Sequence, residues 1–429
     1  MADSDDDDLE ARPRPASGAR RALLGRVAAA PAIAAGAGLG FTSRSALGEP
    51  PPRVPKWMRE QGTGFLNPPY GLPSLHEQHV VRALPAGNNP FPLFSRTPIQ
   101  NLHGTITPNG LFFEIHHAGV PQIDPAQHRL MIHGLVSRPL LLTMDELMRF
   151  PAVSRVHFLE CSGNSASQWK APIGRTAQDV HGLIAGAEWT GVMLSTLLGE
   201  VGLQPEAKWL LAEGADAAAM TRSIPMDIAL RDAMVVWSQN GEMLRAEQGY
   251  PLRLFLPGIE GNMSIKWLRR IKVGIEPFQT REETSKYTDL MPDGSARQFT
   301  FVMDAKSVIL SPSGGQQMGP RGFREISGIA WTGRGRIAGV DVSVDGGRNW
   351  REAVLQEPVQ SKMITRFRLP WTWDGSPAIL QSRARDETGY VQPTRDQLIA
   401  ARGLNSVYHY NGIQSWSVAA SGEVTHVFA

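Results

Sequence analysis

Residues 157–164 have the sequence HFLECSGN, in which an apolar run leads to Cys161 and Ser-Gly-Asn follows it. A short apolar run favours a buried strand, and Ser-Gly-Asn favours a tight turn. The segment therefore predicts Cys161 at the end of a strand, at the lip of a sheet where a ligand can reach it. Three roles are open at this point: a buried inert thiol, a nucleophile that needs a histidine base, or a thiolate ligand to a metal whose other donors belong to a cofactor.

The amino-acid composition and net charge exclude several classes of function. The chain has 429 residues, of which 42% are hydrophobic and 20% charged, and this length predicts two or three globular domains. The net charge of +2, from 43 basic and 41 acidic residues, excludes a strong field toward nucleic acid or an anionic membrane. A single cysteine excludes an internal disulfide, a four-thiolate zinc site and a CxxCH haem attachment within this sequence.

The first 48 residues differ from the rest. An acidic run (Asp5–Asp8) precedes the pair Arg20-Arg21, an uncharged Ala/Gly-rich stretch over 27–43, and small residues over 45–48. This order of regions predicts a twin-arginine export signal over residues 1–48 and hence a periplasmic protein. A disordered tail is the alternative. A membrane span is disfavoured because the stretch is short and interrupted by Pro31.

The remainder divides into three predicted regions. Residues 49–100 are rich in proline and predict an extended arm. Residues 101–290 mix strand and helix signals, which predicts an α+β domain. The signals are the alternation over His128–Val136, the capping-box spacing Thr143–Glu146, the helical spacing over Gly191–Val201, and the hairpin dipeptide Asn240-Gly241.

Residues 300–429 have a different pattern. Short alternating segments and Gly-rich turns predict an all-β immunoglobulin-like sandwich. The predicted strands are Ile326–Trp331, Ile337–Val344, Arg366–Pro370 and Ala378–Arg385, with a turn at Asp345-Gly346-Gly347. The tryptophans of this region are expected in its core or an interface rather than in a functional cage.

Four segments together resemble the sulfite oxidase family of molybdenum enzymes. They are the Cys161 segment, the run from Gln248 to Val273, the run from Thr107 to His117, and the stretch Ile337–Trp350, which resembles the family's dimerisation domain. The matches occur in order over residues 101–415. The resemblance implies molybdenum bound by one protein thiolate and by the dithiolene of a single pyranopterin, the molybdopterin cofactor.

The resemblance also implies site residues. Cys161 is implied as the metal ligand and Tyr287 as the tyrosine near molybdenum. The implied cofactor contacts are His116, His117, Cys161, Glu213, Gln248, Arg253, Ser264, Ile265 and Lys266. Arg253 and Lys266 would supply the charge that a pterin phosphate needs, although either side chain taken alone could be a surface residue.

Three positions depart from the family pattern. Ile115, Ala166 and Asn411 stand where the resemblance expects arginines that bind a small anion. With these departures the chain resembles the molybdenum subunits of sulfane dehydrogenases of the sulfur-oxidising (Sox) system. Their substrate is sulfane sulfur on a cysteine of a carrier protein, and their electrons pass to a c-type cytochrome subunit. A homodimer of this chain within a hetero-oligomer is also implied.

Other functions remain open on sequence alone. The main alternative is a sulfite dehydrogenase that uses free sulfite. A methionine-sulfoxide reductase with the same cofactor would have no use for the C-terminal sandwich. A cofactor-free binding module and a thiol hydrolase with a His–Cys pair are alternatives from other classes.

Overall fold

A computed structural model describes residues 55–59, 61, 70–85 and 93–429. The predicted export signal (1–48) and part of the predicted arm (49–100) lie outside these residues, and both stay predictions. Residues 51–429 form one compact unit. No helix among the described residues is long and apolar enough to cross a membrane.

The helices are short. The α-helices are α1 (Met144–Leu147), α2 (Ala177–His181), α3 (Leu194–Val201), α4 (Met226–Arg231), α5 (Arg281–Ser285) and α6 (Arg395–Arg402). The 3-10 helices are Lys56–Met58, Leu75–Glu77, Ile99–Asn101, Asn109–Leu111, Ala166–Trp169, Ala246–Gln248 and Gly261–Met263. The capping box predicted at Thr143 is present and starts α1.

Strands dominate the part of the chain before residue 300. They are β1 (Leu93–Ser95), β2 (Glu114–His116), β3 (Arg129–Gly134), β4 (Leu140–Thr143), β5 (Ala152–Glu160), β6 (Ile184–Met193), β7 (Trp209–Gly214), β8 (Thr221–Pro225), β9 (Met234–Gln239), β10 (Glu242–Met243), β11 (Arg253–Phe255), β12 (Leu268–Gly274), β13 (Asp289–Leu290) and β14 (Ala296–Arg297).

Two five-stranded sheets organise this region. One has the order β10-β9-β6-β5, with β11 also paired to β9, and the other has the order β4-β3-β12-β7-β8. Residue Asn240 has φ 50° and Gly241 has φ 81°, which confirms the predicted hairpin between β9 and β10. The helix predicted from Gly191 begins only at Leu194, because residues up to Met193 continue β6 and pair with β9.

The C-terminal region is a sandwich of two sheets. Its strands are β15 (Lys306–Ser311), β16 (Gly322–Trp331), β17 (Ile337–Ser343), β18 (Arg351–Glu352), β19 (Val354–Leu355), β20 (Thr365–Trp373), β21 (Ala378–Asp386), β22 (Ser415–Val418) and β23 (Val424–Val427). The sheet orders are β15-β16-β20-β19 and β18-β17-β21-β22-β23. The predicted α+β class with a C-terminal sandwich is confirmed.

The sandwich departs from the predicted all-β pattern at α6. Thr394 forms a capping box with Gln397, and Leu398 buries one face of this helix. Of the five tryptophans predicted in the core or an interface, Trp331, Trp371, Trp373 and Trp416 lie in the sandwich core, whereas Trp350 is half-buried and lies outside it. Phe158 and Ile184 from the first sheet belong to the same core, so the first sheet and the sandwich share a buried apolar surface.

Candidate cofactor site

Cys161 follows directly on β5 and begins a tight turn. Its amide donates to the Leu183 carbonyl at 3.0 Å, and its own carbonyl accepts from the Asn164 amide at 2.9 Å. The thiol is half-buried, and its Sγ accepts from the Gly163 amide at 3.3 Å. The turn predicted from Ser-Gly-Asn is therefore present.

A cavity opens beside this thiol. Its walls come from the β2 segment, the Cys161 turn, the segment after β7, the segment 248–267 and Tyr287. The lining residues are Phe113, Ile115, His116, His117, Leu159, Cys161, Asp216, Met220, Gln248, Arg253, Gly261, Asn262, Ser264, Ile265, Lys266, Trp267 and Tyr287. All of the predicted site residues except Glu213 line this cavity.

One wall carries two cations without acidic partners. We call Gln248, Arg253, Ser264 and Lys266 the cationic cluster. Arg253 donates to the carbonyls of Gln248 and Ser264, each at 3.0 Å. Lys266 donates to the carbonyls of Ile115 at 2.7 Å and Glu247 at 2.9 Å. Neither side chain forms an ion pair with a carboxylate of the described residues.

Burial shifts both cations toward neutrality. The apolar surroundings lower the pKa of Arg253 to about 9. Burial, assisted by the neighbouring charge of Arg253, lowers the pKa of Lys266 to about 7. The Nε atom of Arg253 is buried and has no hydrogen-bond partner in the described structure. A bound anion would favour the charged form of both side chains.

Gly249 allows the cationic cluster to close. Its φ of 108° is one that other residues rarely adopt, and a Cβ at this position would lie 3.0 Å from the Cβ of Lys266 and 3.2 Å from that of Arg253. The residues before and after Gly249 can therefore approach the same cavity wall.

The opposite wall is built around Tyr287. We call His117, Arg222, Asn262 and Tyr287 the tyrosine cluster. The Tyr287 hydroxyl lies 3.2 Å from His117 Nε2. Burial lowers the pKa of His117 and raises that of Tyr287 well above its usual value.

Arg222 lies behind the Tyr287 ring and is fully buried. Its guanidinium carbon is 5.0 Å from the ring centroid, and it donates to Asn262. Two buried carboxylates balance it, Glu260 at 3.4 Å and Glu283 at 3.8 Å. Glu260 also lies 3.2 Å from His409 Nε2 and has a pKa lowered to about 2, with burial opposed by the hydrogen bond from His409 and the charge of Arg222.

Glu213 lies away from the cavity. Its carboxylate pairs with Arg269 and Arg270 on the neighbouring strand β12. The acidic residue in the cavity wall is Asp216, which follows β7 and accepts from the Met220 amide at 3.3 Å. Sequence reasoning missed Asp216 because the end of β7 sets which acidic side chain turns inward.

The three residues that stand where the family resemblance expects arginines lie in different places. Ile115 lines the cavity, whereas Ala166 and Asn411 do not. Ala166 starts a 3-10 helix, and the buried Asn411 amide donates to the Ala305 carbonyl at 3.1 Å and the Tyr390 hydroxyl at 3.0 Å. The arginine and lysine of the cavity wall are therefore those of the cationic cluster.

The thiol of Cys161 fits a cofactor-assisted metal site better than a nucleophile. Burial raises its pKa to about 12, against the opposing effect of the Gly163 amide, and no described histidine is hydrogen-bonded to it. No group of three or more His, Cys, Asp or Glu side chains suited to a metal occurs among the described residues. A metal at Cys161 would take its other donors from a cofactor, and the cationic cluster suits the phosphate of a pterin.

Comparison with known proteins gives a consistent assignment. Residues 117–282 match the oxidoreductase molybdopterin binding domain, and residues 297–415 match the Mo-co oxidoreductase dimerisation domain. Curated relatives include sulfite oxidase from Gallus gallus, 33% identical over 58% of this chain and 59% of the relative. The mitochondrial sulfite oxidase of Mus musculus is 30% identical over 75% of this chain and 63% of the relative. The chain thus spans about six tenths of the length of these relatives.

A solved structure matches over nearly its whole length. The crystal structure of the sulfane dehydrogenase SoxCD from Paracoccus pantotrophus aligns with a TM-score of 0.86 and 49% identity, covering 89% of this chain and 99% of that chain. The cavity beside Cys161, the two matched family domains and this structural match all indicate the same family. The chain belongs to the sulfite oxidase family of molybdopterin oxidoreductases and has both the cofactor domain and the dimerisation domain of that family.

Proposed function

We propose that this protein is a molybdenum oxidoreductase that oxidises sulfane sulfur bound to a cysteine of a carrier protein. The observation that carries the proposal is the distribution of charge around the cavity. The cations available to an anion belong to the cationic cluster, which suits the cofactor, while Arg222 is balanced by Glu260 and Glu283. Free sulfite would need an uncompensated cation beside the metal.

The residues have distinct roles in this proposal. Bound molybdopterin would supply oxygen-atom transfer and two-electron redox chemistry. Cys161 is the protein ligand of the metal. Arg253 and Lys266 bind the pterin phosphate, with Gln248, Ser264 and Ile265 beside it. His116 and His117 line the same cavity. Tyr287 presents its hydroxyl toward the reacting sulfur, and His117 orients that hydroxyl.

A carrier removes the need for an anion-binding pocket. When the substrate sulfur is attached to another protein, contact between the two proteins supplies affinity and raises the effective concentration of sulfur at the metal. The apolar Ile115 in the cavity wall is compatible with such a substrate. The similarity to a protein titled sulfane dehydrogenase supports the same substrate class.

The proposal includes location and partners. The twin-arginine pattern over residues 1–48 supports export to the periplasm. The single cysteine excludes covalent haem in this sequence, so electrons would leave through a c-type cytochrome partner. The match of residues 297–415 to a dimerisation domain supports a homodimer within a larger assembly.

Steady-state kinetics test the substrate. Holoenzyme with about one molybdenum per chain is assayed with cytochrome c as acceptor, either with free sulfite or with a carrier protein bearing sulfane sulfur on a cysteine. We expect turnover with the loaded carrier and little with sulfite. Efficient sulfite turnover without a carrier would overturn the proposal.

The second candidate is a sulfite dehydrogenase. It is favoured by the similarity to the sulfite oxidases of Gallus gallus and Mus musculus. In the same assay it predicts saturable oxidation of free sulfite that the carrier neither requires nor accelerates.

A further inference from the structure

The turn that carries Cys161 is held by residues of the C-terminal sandwich. Glu160 precedes Cys161, and Asn164 and Ser165 follow it, and all three side chains are buried. The residues that bind Glu160 and Ser165 include Lys306 and Trp331, which are register partners on β15 and β16. These two strands belong to the sandwich and lie far from Cys161 in sequence.

Glu160 makes the first set of contacts between the Cys161 turn and the sandwich. Its carboxylate accepts from Trp331 Nε1 at 2.7 Å, from Asn164 Nδ2 at 2.9 Å and from Lys306 Nζ at 3.4 Å. Glu160 and Lys306 are each 1% exposed. A buried carboxylate is tolerated only where its charge and lone pairs are satisfied, so Glu160 depends on the sandwich.

Ser165 makes the second set of contacts between the Cys161 turn and the C-terminal region. It has φ 68°, a left-handed conformation that a residue with a side chain keeps only when its surroundings hold it. Its hydroxyl lies 2.9 Å from Lys306 Nζ and 2.7 Å from His181 Nδ1. His181 Nε2 in turn lies 3.1 Å from Gln414 Oε1, which also belongs to the C-terminal region.

A third contact holds the main chain between Glu160 and Ser165. The His409 amide donates to the Ser162 carbonyl at 2.8 Å. The backbone on both sides of Cys161 is therefore attached to the C-terminal region, while the thiol itself faces the cavity.

We propose that Lys306, together with Trp331 and Gln414, positions the Cys161 turn, so that the C-terminal sandwich is a structural part of the cofactor site as well as a dimerisation domain. The inference rests on the proposed role of Cys161 as the metal ligand. Lys306 is a positioning residue, because it acts on the thiol through Glu160 and Ser165. Its removal would leave Glu160 buried without a counter-charge and Ser165 without one of its two partners.

Local hydrogen exchange separates this role from a general contribution to stability. The test uses Lys306→Met in the full-length chain, purified both with cofactor and without it. We expect amide exchange in a peptide covering residues 159–168 to accelerate by about tenfold or more, because the turn opens locally. Exchange in the β20 strand (Thr365–Trp373) should stay unchanged.

A matched control exists in the chain. Lys362 also belongs to the C-terminal region and pairs with Asp232 of the first region. Lys362→Met removes a partly exposed ion pair between the two regions, and we expect no change in residues 159–168. If Lys306→Met fails to fold, Trp331→Phe removes a single donor to Glu160 and keeps an aromatic ring, and it should show the same local acceleration at smaller size.

Rescue and spectroscopy complete the test. The double variant Glu160→Gln, Lys306→Met keeps an oxygen acceptor for Trp331 without a buried charge, so exchange should return toward the wild-type rate. In holoenzyme reduced by one electron to Mo(V), Lys306→Met should shift the molybdenum electron paramagnetic resonance spectrum, whereas Lys362→Met should not.

The positioning role is overturned if Lys306→Met leaves exchange of residues 159–168 at the wild-type rate, or if Lys362→Met accelerates it equally. Failure of the ligand assignment gives a different result. In that case Cys161→Ser would retain molybdenum and its resonance spectrum, while the exchange result would stand.

Discussion

The cationic cluster and the tyrosine cluster face the same cavity but differ in whether carboxylates balance their buried cations. Among the described residues, Arg253 and Lys266 hydrogen-bond to backbone carbonyls and pair with no carboxylate, so their charge is available to a bound anion. Arg222 in the tyrosine cluster is balanced by Glu260 and Glu283. A buried cation without a carboxylate indicates a ligand, whereas one with two carboxylates indicates a support for its neighbours.

Cys161→Ser should have the largest effect, because both clusters converge on a metal that this thiolate would bind. A serine oxygen is a poor replacement for a soft thiolate, so we expect activity to be abolished. Molybdenum per chain and turnover measure the effect, and the thermal unfolding temperature is the control for the fold. Retention of full activity by a molybdenum-loaded serine variant would remove Cys161 from the mechanism.

Tyr287→Phe tests the tyrosine cluster. The change removes the hydroxyl that bonds to His117 and leaves the ring over Arg222, so we expect turnover to fall by about 100-fold with the fold intact. Tyr408→Phe is the matched control, because its ring lies 5.1 Å from that of Tyr287. Equal losses in the two variants would contradict a specific role for Tyr287.

Ile115→Arg would make the cavity resemble that of a sulfite-binding enzyme. An added guanidinium in the cavity wall should lower KM for free sulfite by about tenfold, because it would add a cation that can pair with the sulfite anion. Ile115→Gln, which adds a polar group without charge, should leave KM unchanged. An unchanged KM for sulfite in the arginine variant would argue against charge as the determinant of substrate.

Lys266 should make the free energy of unfolding of the cofactor-free protein depend on pH. Its folded-state pKa is about 7 and its usual value is 10.5, so between these pH values the unfolded chain binds more protons. The free energy of unfolding should therefore increase from pH 7 to 9, by on the order of 1–2 kcal/mol. Urea unfolding of wild type and Lys266→Met at both pH values measures this, and the gain should be absent from the variant. Equal pH dependence in both proteins would place the Lys266 pKa near its usual value.

The smallest effect is expected at Glu213. Glu213→Gln should leave molybdenum occupancy within about twofold of wild type, because its buried carboxylate pairs with Arg269 and Arg270 and does not line the cavity. Asp216→Asn, which changes the acidic residue of the cavity wall, should lower occupancy more. The reverse ranking would restore the role first inferred for Glu213.

Local patterns in the sequence were enough for much of the fold. Two-residue alternation predicted β3, β17 and β21, and Asn240-Gly241 predicted the β9–β10 hairpin, because side-chain periodicity and positive φ are properties of short segments. The helix α6 was missed although Thr394 and Gln397 have capping-box spacing, since strand-like segments surround it. The predicted site residues that share short motifs, such as Arg253, Ser264 and Lys266, do lie together.

By itself the sequence determined the strand-end position of Cys161 and the two-part architecture, because each depends on neighbouring residues along the chain. Only the tertiary structure decided which charges are balanced. Asp216 rather than Glu213 faces the cavity, Arg222 finds Glu260 and Glu283, and Lys306 reaches Glu160. The physical reason is that the state of a buried charge depends on partners brought from distant segments by packing, and no local pattern specifies them.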